Sequence, residues 1–153
     1  MSGFAFGSKY VASLSTNNNN TADEDHTTKP DTLRSATIPP NLEGDISQQL
    51  QKLLKKDATT KAKALQSLQS AIQDKSPEAV ELALPFWSYV YPKLLMDNNR
   101  SVRSEACLAM GKLGIKLGRR IAPYVKNIFP PWWLTSFDVH REVAHAAKSS
   151  LQL

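Results

Sequence analysis

From Gly44 onward the apolar residues recur every three or four positions, and no stretch shows the two-residue alternation of a strand, so the pattern predicts helices throughout. Ile46, Leu50, Leu53 and Leu54 fall at i, i+4, i+7 and i+8, one face of a first helix. Asp57 is placed to cap a second, in which Ala58, Ala62, Leu65, Leu68 and Ile72 make the inward stripe. Ser76-Pro77 reads as a cap followed by proline at the first helical position, opening a segment that runs to Leu95 and is kinked or split near Pro85 and Pro92. Asp97 is expected to open a further helix with Val102, Ala106, Ala109, Met110 and Leu113 inward, ended by the glycine-rich run from Gly114 to Gly118. Ile121 to Phe129 predicts another helix, Pro130-Pro131 a break, and Asp138 the start of a last helix through Val143, Ala144, Ala147 and Leu151.

Residues 1–45 follow no such rhythm. Asn17 to Asn20, Thr27-Thr28, Pro30, Pro39 and Pro40 bury too little apolar surface to offset chain entropy, which predicts a disordered arm over 1–45 ahead of a helical domain over 46–153. Within the arm, Phe4, Phe6 and Tyr10 are set among glycines between Gly3 and Val11. They are either incidental aromatics of a loose terminus or the anchors of a short docking peptide.

Asp57, Asp97 and Asp138 lie 40 and 41 residues apart, the period of paired-helix repeats of the HEAT and armadillo kind. Each is followed five residues later by a small apolar residue: Ala62 before Lys63, Val102 before Arg103, and Val143 before Ala144, where the basic residue is missing. This resembles the HEAT repeat, whose second helix carries Asp and then Val-Arg. There an aspartate satisfies the free amides at the helix start, and a basic residue reaches a carboxylate of the neighbouring repeat. The expected architecture is therefore an all-α HEAT/armadillo-like solenoid of about three helix pairs.

Composition narrows the chemistry. The single Cys107 rules out an internal disulfide, and with three histidines the chain lacks the eight ligands of a two-zinc RING. Cys107 with His140 and His145 is the only set worth testing as a nucleophile and base. Cys107 falls on the inward stripe between Ala106 and Leu108, where a small buried thiol is ordinary, and the two histidines stand five apart, poor spacing for one metal ion. Gly111, Gly114 and Gly118 follow no strand and form no phosphate loop. No catalytic, metal or cofactor residue is expected, and no run of residues suits a membrane span.

Charge points to anionic partners. Residues 1–45 hold three basic and six acidic residues, so the remainder carries sixteen against eight, a net +8. Lys52, Lys55, Lys56, Lys61 and Lys63 cluster around the first inter-helix corner, and Lys112, Lys116, Arg119, Arg120 and Lys126 around the second. They are candidates for contact with phosphate, or else a solvated helix surface.

A closer resemblance emerges from Leu53 to Leu65, Leu84-Pro85-Phe86-Trp87, Lys93 to Arg103, Ala122 to Lys126, Trp132 to Asp138 and Val143 to Lys148. Together these runs resemble the N-terminal domain of listerin, and Gly3 to Ser8 resembles the Phe-rich element upstream in that family. The resemblance implies a docking role on the large ribosomal subunit and on the quality-control factor that holds peptidyl-tRNA there, in the cytosol. In that family a distant RING with bound zinc, working with a ubiquitin-conjugating enzyme, marks stalled nascent chains for degradation. Listerins are very long solenoids that end in the RING, so this chain, expected to be a monomer, would be only an N-terminal piece, and the lack of a polar closing helix after Leu151 fits a truncated repeat domain. The competing reading is a general HEAT scaffold that binds proteins through its concave face.

Overall fold

The computed structural model describes residues 37–152. Among them are seven α-helices, one 3₁₀ segment and no strand: α1 (Gly44–Lys52), α2 (Ala58–Asp74), α3 (Pro77–Glu81), α4 (Leu84–Leu95), α5 (Arg100–Leu117), the 3₁₀ segment Gly118–Tyr124, α6 (Val125–Thr135) and α7 (Arg141–Leu151). The aromatic segment with Phe4, Phe6 and Tyr10 lies outside the described residues.

The helices stack in two layers. α2, α5 and α7 form one, with α5 in the middle, and α4 packs on α6 in the other, while α1 packs on α2. α2 and α5 run parallel: Lys61 near the start of α2 reaches Asp97 just before α5, and Lys116 near the end of α5 donates to the Gln73 carbonyl near the end of α2 at 3.0 Å. Between the layers lies one core that includes Leu65, Leu68 and Ile72 of α2, Phe86, Trp87 and Tyr91 of α4, and Val102, Ala106, Ala109 and Met110 of α5. Trp87 stacks on Tyr91 with ring centroids 5.3 Å apart and turns its indole N–H toward the Met110 sulfur, so its polar tip has a partner where water is excluded.

Several elements depart from the sequence expectation. α1 stops at Lys52, so Leu53 is buried but Leu54 points outward. Leu42, inside the segment read as arm, is buried against the core. The proline-interrupted segment splits at Leu82-Ala83, where Pro85 takes a first-turn position of α4; Pro92 lies inside α4 without ending it. Gly118 ends α5 with φ +52°, a conformation that favours glycine. Ile121 to Tyr124 is 3₁₀ rather than α, and Pro130-Pro131 does not break the chain but sits in the middle of α6. A proline ring fixes φ near the helical value, so what it removes is an N–H donor, and Lys126 and Asn127, whose carbonyls lose it, line a groove together with Pro130 and Pro131.

Candidate functional site

The aspartates bind the repeats together, though in a different register from the one the spacing suggests. Asp57 is itself the cap of α2, its Oδ2 accepting from the Thr60 N–H at 2.7 Å. Asp97 and Asp138 cap nothing directly. Each stands two residues before the cap and accepts that residue's N–H, Asn99 at 2.9 Å and His140 at 2.8 Å. The caps Asp57, Asn99 and His140 are 42 and 41 residues apart, so equivalent positions slide by two in the first repeat. Lys61 and Arg103 are then both the fourth residue of their helices, and Thr60, Val102 and Val143 are the third. The residue expected to bridge the first and second repeats was Lys63; it is exposed, and Lys61 makes the bond to Asp97 instead.

Arg103 does the same one repeat later. Its guanidinium donates to both carboxylate oxygens of Asp138 at 2.8 and 3.1 Å, and also to the main-chain carbonyls of Asp97 and Asn98 at 2.7 and 3.3 Å. A planar fork can hold a carboxylate and two carbonyls at once where an ammonium cannot. With the Arg103 residue only 8% exposed, these bonds satisfy a charge that water does not reach. In α7 the fourth position is Ala144, so this series of cross-repeat bonds ends at Asp138. Burial pushes the Asp97 and Asp138 carboxyls up, but the basic partner and the cap N–H outweigh it and hold both below their ordinary value. Gln66 and Gln69 of α2 add a second brace by donating to Glu105 of α5 at 2.9 and 2.6 Å, and Arg100 pairs with Glu142 at 3.1 Å. The sequence reading missed both; nothing in the spacing of an uncharged glutamine advertises such a bond.

The ten basic candidates do not form one patch. Because α2 and α5 are parallel, Lys52, Lys55, Lys56, Lys61 and Lys63 lie toward one end of the α2–α5–α7 layer, with Lys112, Lys116, Arg119 and Arg120 toward the other. Four are already engaged: Lys52 with Gln49, Lys61 with Asp97, Lys116 with the Gln73 carbonyl, and Arg120 with Glu78 and Glu81 at 2.9 and 2.8 Å. Lys55, Lys56, Lys63, Lys112, Arg119 and Lys126 make no ion pair among the described residues, which leaves them available to an anion.

The aromatics divide as well. Trp132 is partly buried and donates to the Ser150 hydroxyl at 2.9 Å, so it packs α6 on α7. Trp133 is 49% exposed and meets Phe137 edge-on at 5.2 Å. With Val125 and Phe129 these two make an outward apolar stripe at i, i+4, i+8 and i+12 along α6 and the turn after it. Reading Pro130-Pro131 as a break hid this stripe. An apolar groove of about 480 Å³ runs beside it, lined by Ile115, Val125, Phe129 and Leu151 among others.

Cys107 is fully buried, and burial pushes its thiol up to about 12, the opposite of what a thiolate nucleophile needs. His140 lies 3.1 Å from the Arg103 guanidinium and 3.3 Å from Asp138, where it belongs to the cross-repeat bonds, and His145 is exposed. Among the described residues no cluster of His, Cys, Asp or Glu could hold a metal ion, and no helix is long and apolar enough to cross a membrane.

A family model describing the N-terminal domain of the E3 ubiquitin-protein ligase listerin matches residues 38–153. The chain is 34% identical over 111 residues to E3 ubiquitin-protein ligase listerin of Mus musculus, covering 72% of this chain and 6% of the relative. Against the listerin of Drosophila melanogaster it is 34% identical over 119 residues, covering 75% and 7%. The Schizosaccharomyces pombe listerin is 32% identical over 119 residues, covering 74% and 7%. No solved structure matches. The chain thus spans 6 to 7% of the length of these relatives. These matches give one conclusion: the chain belongs to the listerin family, whose N-terminal domain it carries over residues 38–153.

Proposed function

We propose that this chain is the docking part of a listerin-type ubiquitin ligase and binds large ribosomal subunits stalled with a nascent chain. The longer protein would then use a RING domain and its ubiquitin-conjugating enzyme to mark that nascent chain for degradation in the cytosol. The observation that carries this reading is the match to the listerin N-terminal domain over 38–153. It is supported by six basic residues without a carboxylate partner among the described residues, on a body of net +8, which suits an rRNA backbone or an acidic surface of the subunit or its quality-control factor. In this reading the ion-paired Lys61, Arg103 and Arg120 hold the helices together, while Lys55, Lys56, Lys63, Lys112, Arg119 and Lys126 meet the partner.

The test is co-sedimentation of the chain with large and, separately, small ribosomal subunits across a salt series. Retention on the large subunit alone at physiological salt is the expected result. Equal binding to both subunits that is lost with added salt would overturn the docking reading and leave a general helical-repeat scaffold.

A further inference from the structure

The α4–α6 layer carries a groove that none of the cross-repeat bonds uses. It lies between α4 and α6, has a volume of about 450 Å³, and is lined by Ser88, Tyr89, Pro92, Lys126, Asn127, Pro130, Pro131 and Leu134. Three of those residues are prolines inside helices, which is costly, since each removes the N–H that should bond the carbonyl four residues back. The carbonyls so deprived belong to Ser88, Lys126 and Asn127, and all three residues line the same groove. Ser88 is buried, but Lys126 is exposed and Asn127 half-buried, so the acceptors that Pro130 and Pro131 free are the ones a ligand in the groove can reach. Around them the surface is apolar, from Tyr89, Leu134 and the proline rings. The charge beside it has one sign: Lys126 lines the groove, Lys93 lies 3.7 Å over the Tyr89 ring, and neither helix contains an Asp or Glu.

A groove of this make asks for a ligand that donates hydrogen bonds, carries negative charge at its edge and has an apolar residue between. Phosphate and ribose supply mostly acceptors, which would face carbonyls of the same polarity. An extended peptide supplies a row of main-chain N–H groups, and acidic side chains give it the charge. We propose that the α4–α6 groove binds an extended acidic peptide segment of a partner protein, with an apolar side chain against Tyr89 and Leu134, carboxylates toward Lys93 and Lys126, and main-chain N–H groups on the carbonyls freed by Pro130 and Pro131.

The probe is a fluorescein-labelled decapeptide alternating Asp with Phe or Leu, titrated against the whole chain by fluorescence anisotropy beside its counterpart with Lys for Asp and a dodecamer of uridylate. The acidic peptide binds and the basic one does not. Lys126→Glu weakens binding about tenfold or more, as expected for reversing a contact charge. The double change Pro130→Ala with Pro131→Ala separates binding from folding: it returns two donors to the helix, so the melting temperature rises while peptide affinity falls. Absence of acidic-peptide binding, equal binding of both peptides, unchanged affinity in these two variants, or displacement of the peptide by the uridylate dodecamer would each overturn the assignment.

Discussion

Arg103 joins the turn before its own helix to the next repeat through a single guanidinium. It holds the Asp138 carboxylate in two bonds and two carbonyls of the turn before α5, so Arg103→Ala leaves a poorly hydrated carboxylate unpaired and should cost about 3 kcal/mol in urea-induced unfolding. Arg103→Lys keeps the charge without the fork and should recover only part of that loss. Lys61 and Lys63 offer a sharper comparison. Lys61→Ala removes the bond to Asp97 and should cost about 1 kcal/mol, while Lys63→Ala, exposed and unpaired, should lie within about 0.5 kcal/mol of the parent chain. Equal effects at the two positions would mean that the first repeat keeps the register read from aspartate spacing. The same pairs set a pH dependence. Asp97 and Asp138 titrate below the ordinary 3.8 in the folded chain, so the unfolded chain takes up protons first as pH falls. Their contribution is whole at neutral pH, declines as pH drops through 3.8 and is gone below the folded values, and thermal melts from pH 6 down to about 2.5 should show the fall, reduced in an Asp97→Asn variant.

At the scale of elements, glycine and proline decide where helices end, and they do so by backbone angle rather than by identity alone. Gly114 and Gly118 are both glycines near the end of α5, and a Cβ at either would meet nothing within 4 Å. Gly118 has φ +52°, so Gly118→Ala should destabilise by about 1 kcal/mol. Gly114 lies within α5 with no such angle, so Gly114→Ala should stabilise by about 0.5 to 1 kcal/mol in a thermal melt. From the sequence the two looked alike, as parts of one terminating run. Prolines show the converse. Pro77 and Pro85 fall in first turns, where the lost N–H has no helical partner anyway, and sequence reasoning placed Pro77 correctly. It misjudged Pro130-Pro131, which do not end α6, because whether a helix survives an internal proline depends on the packing on either side. α6 keeps its line because Ile128 and Trp132 seat one face against the core.

For the whole molecule, the prediction concerns charge at two separate places. Reversing Lys55, Lys56 and Lys63 to Glu, or Lys112, Arg119 and Lys126, should leave the helical circular dichroism unchanged, since none of the six pairs with a carboxylate among the described residues. Co-sedimentation of each triple variant with large ribosomal subunits then tells which of the two basic sets meets the partner, with binding lost for one set and the salt slope reduced by about one per contact removed. The sequence by itself determined the helical class, the existence and order of most helices, the inward stripes and the family, because apolar periodicity and local caps depend on neighbours three or four residues away. Ser76 and Asp57 could be assigned as caps on those grounds alone. What only the tertiary structure decided is which charges are consumed and which are free. Lys61 and Lys63 are two residues apart in the same helix, yet the first faces Asp97, 36 positions along the chain, and the second faces water. The same holds for Trp132 and Trp133, adjacent residues that differ in role because α7 covers one and leaves the other exposed. Spacing along the chain fixes the angle at which a side chain leaves its helix, but what it meets there is set by the stacking of the next helix pair.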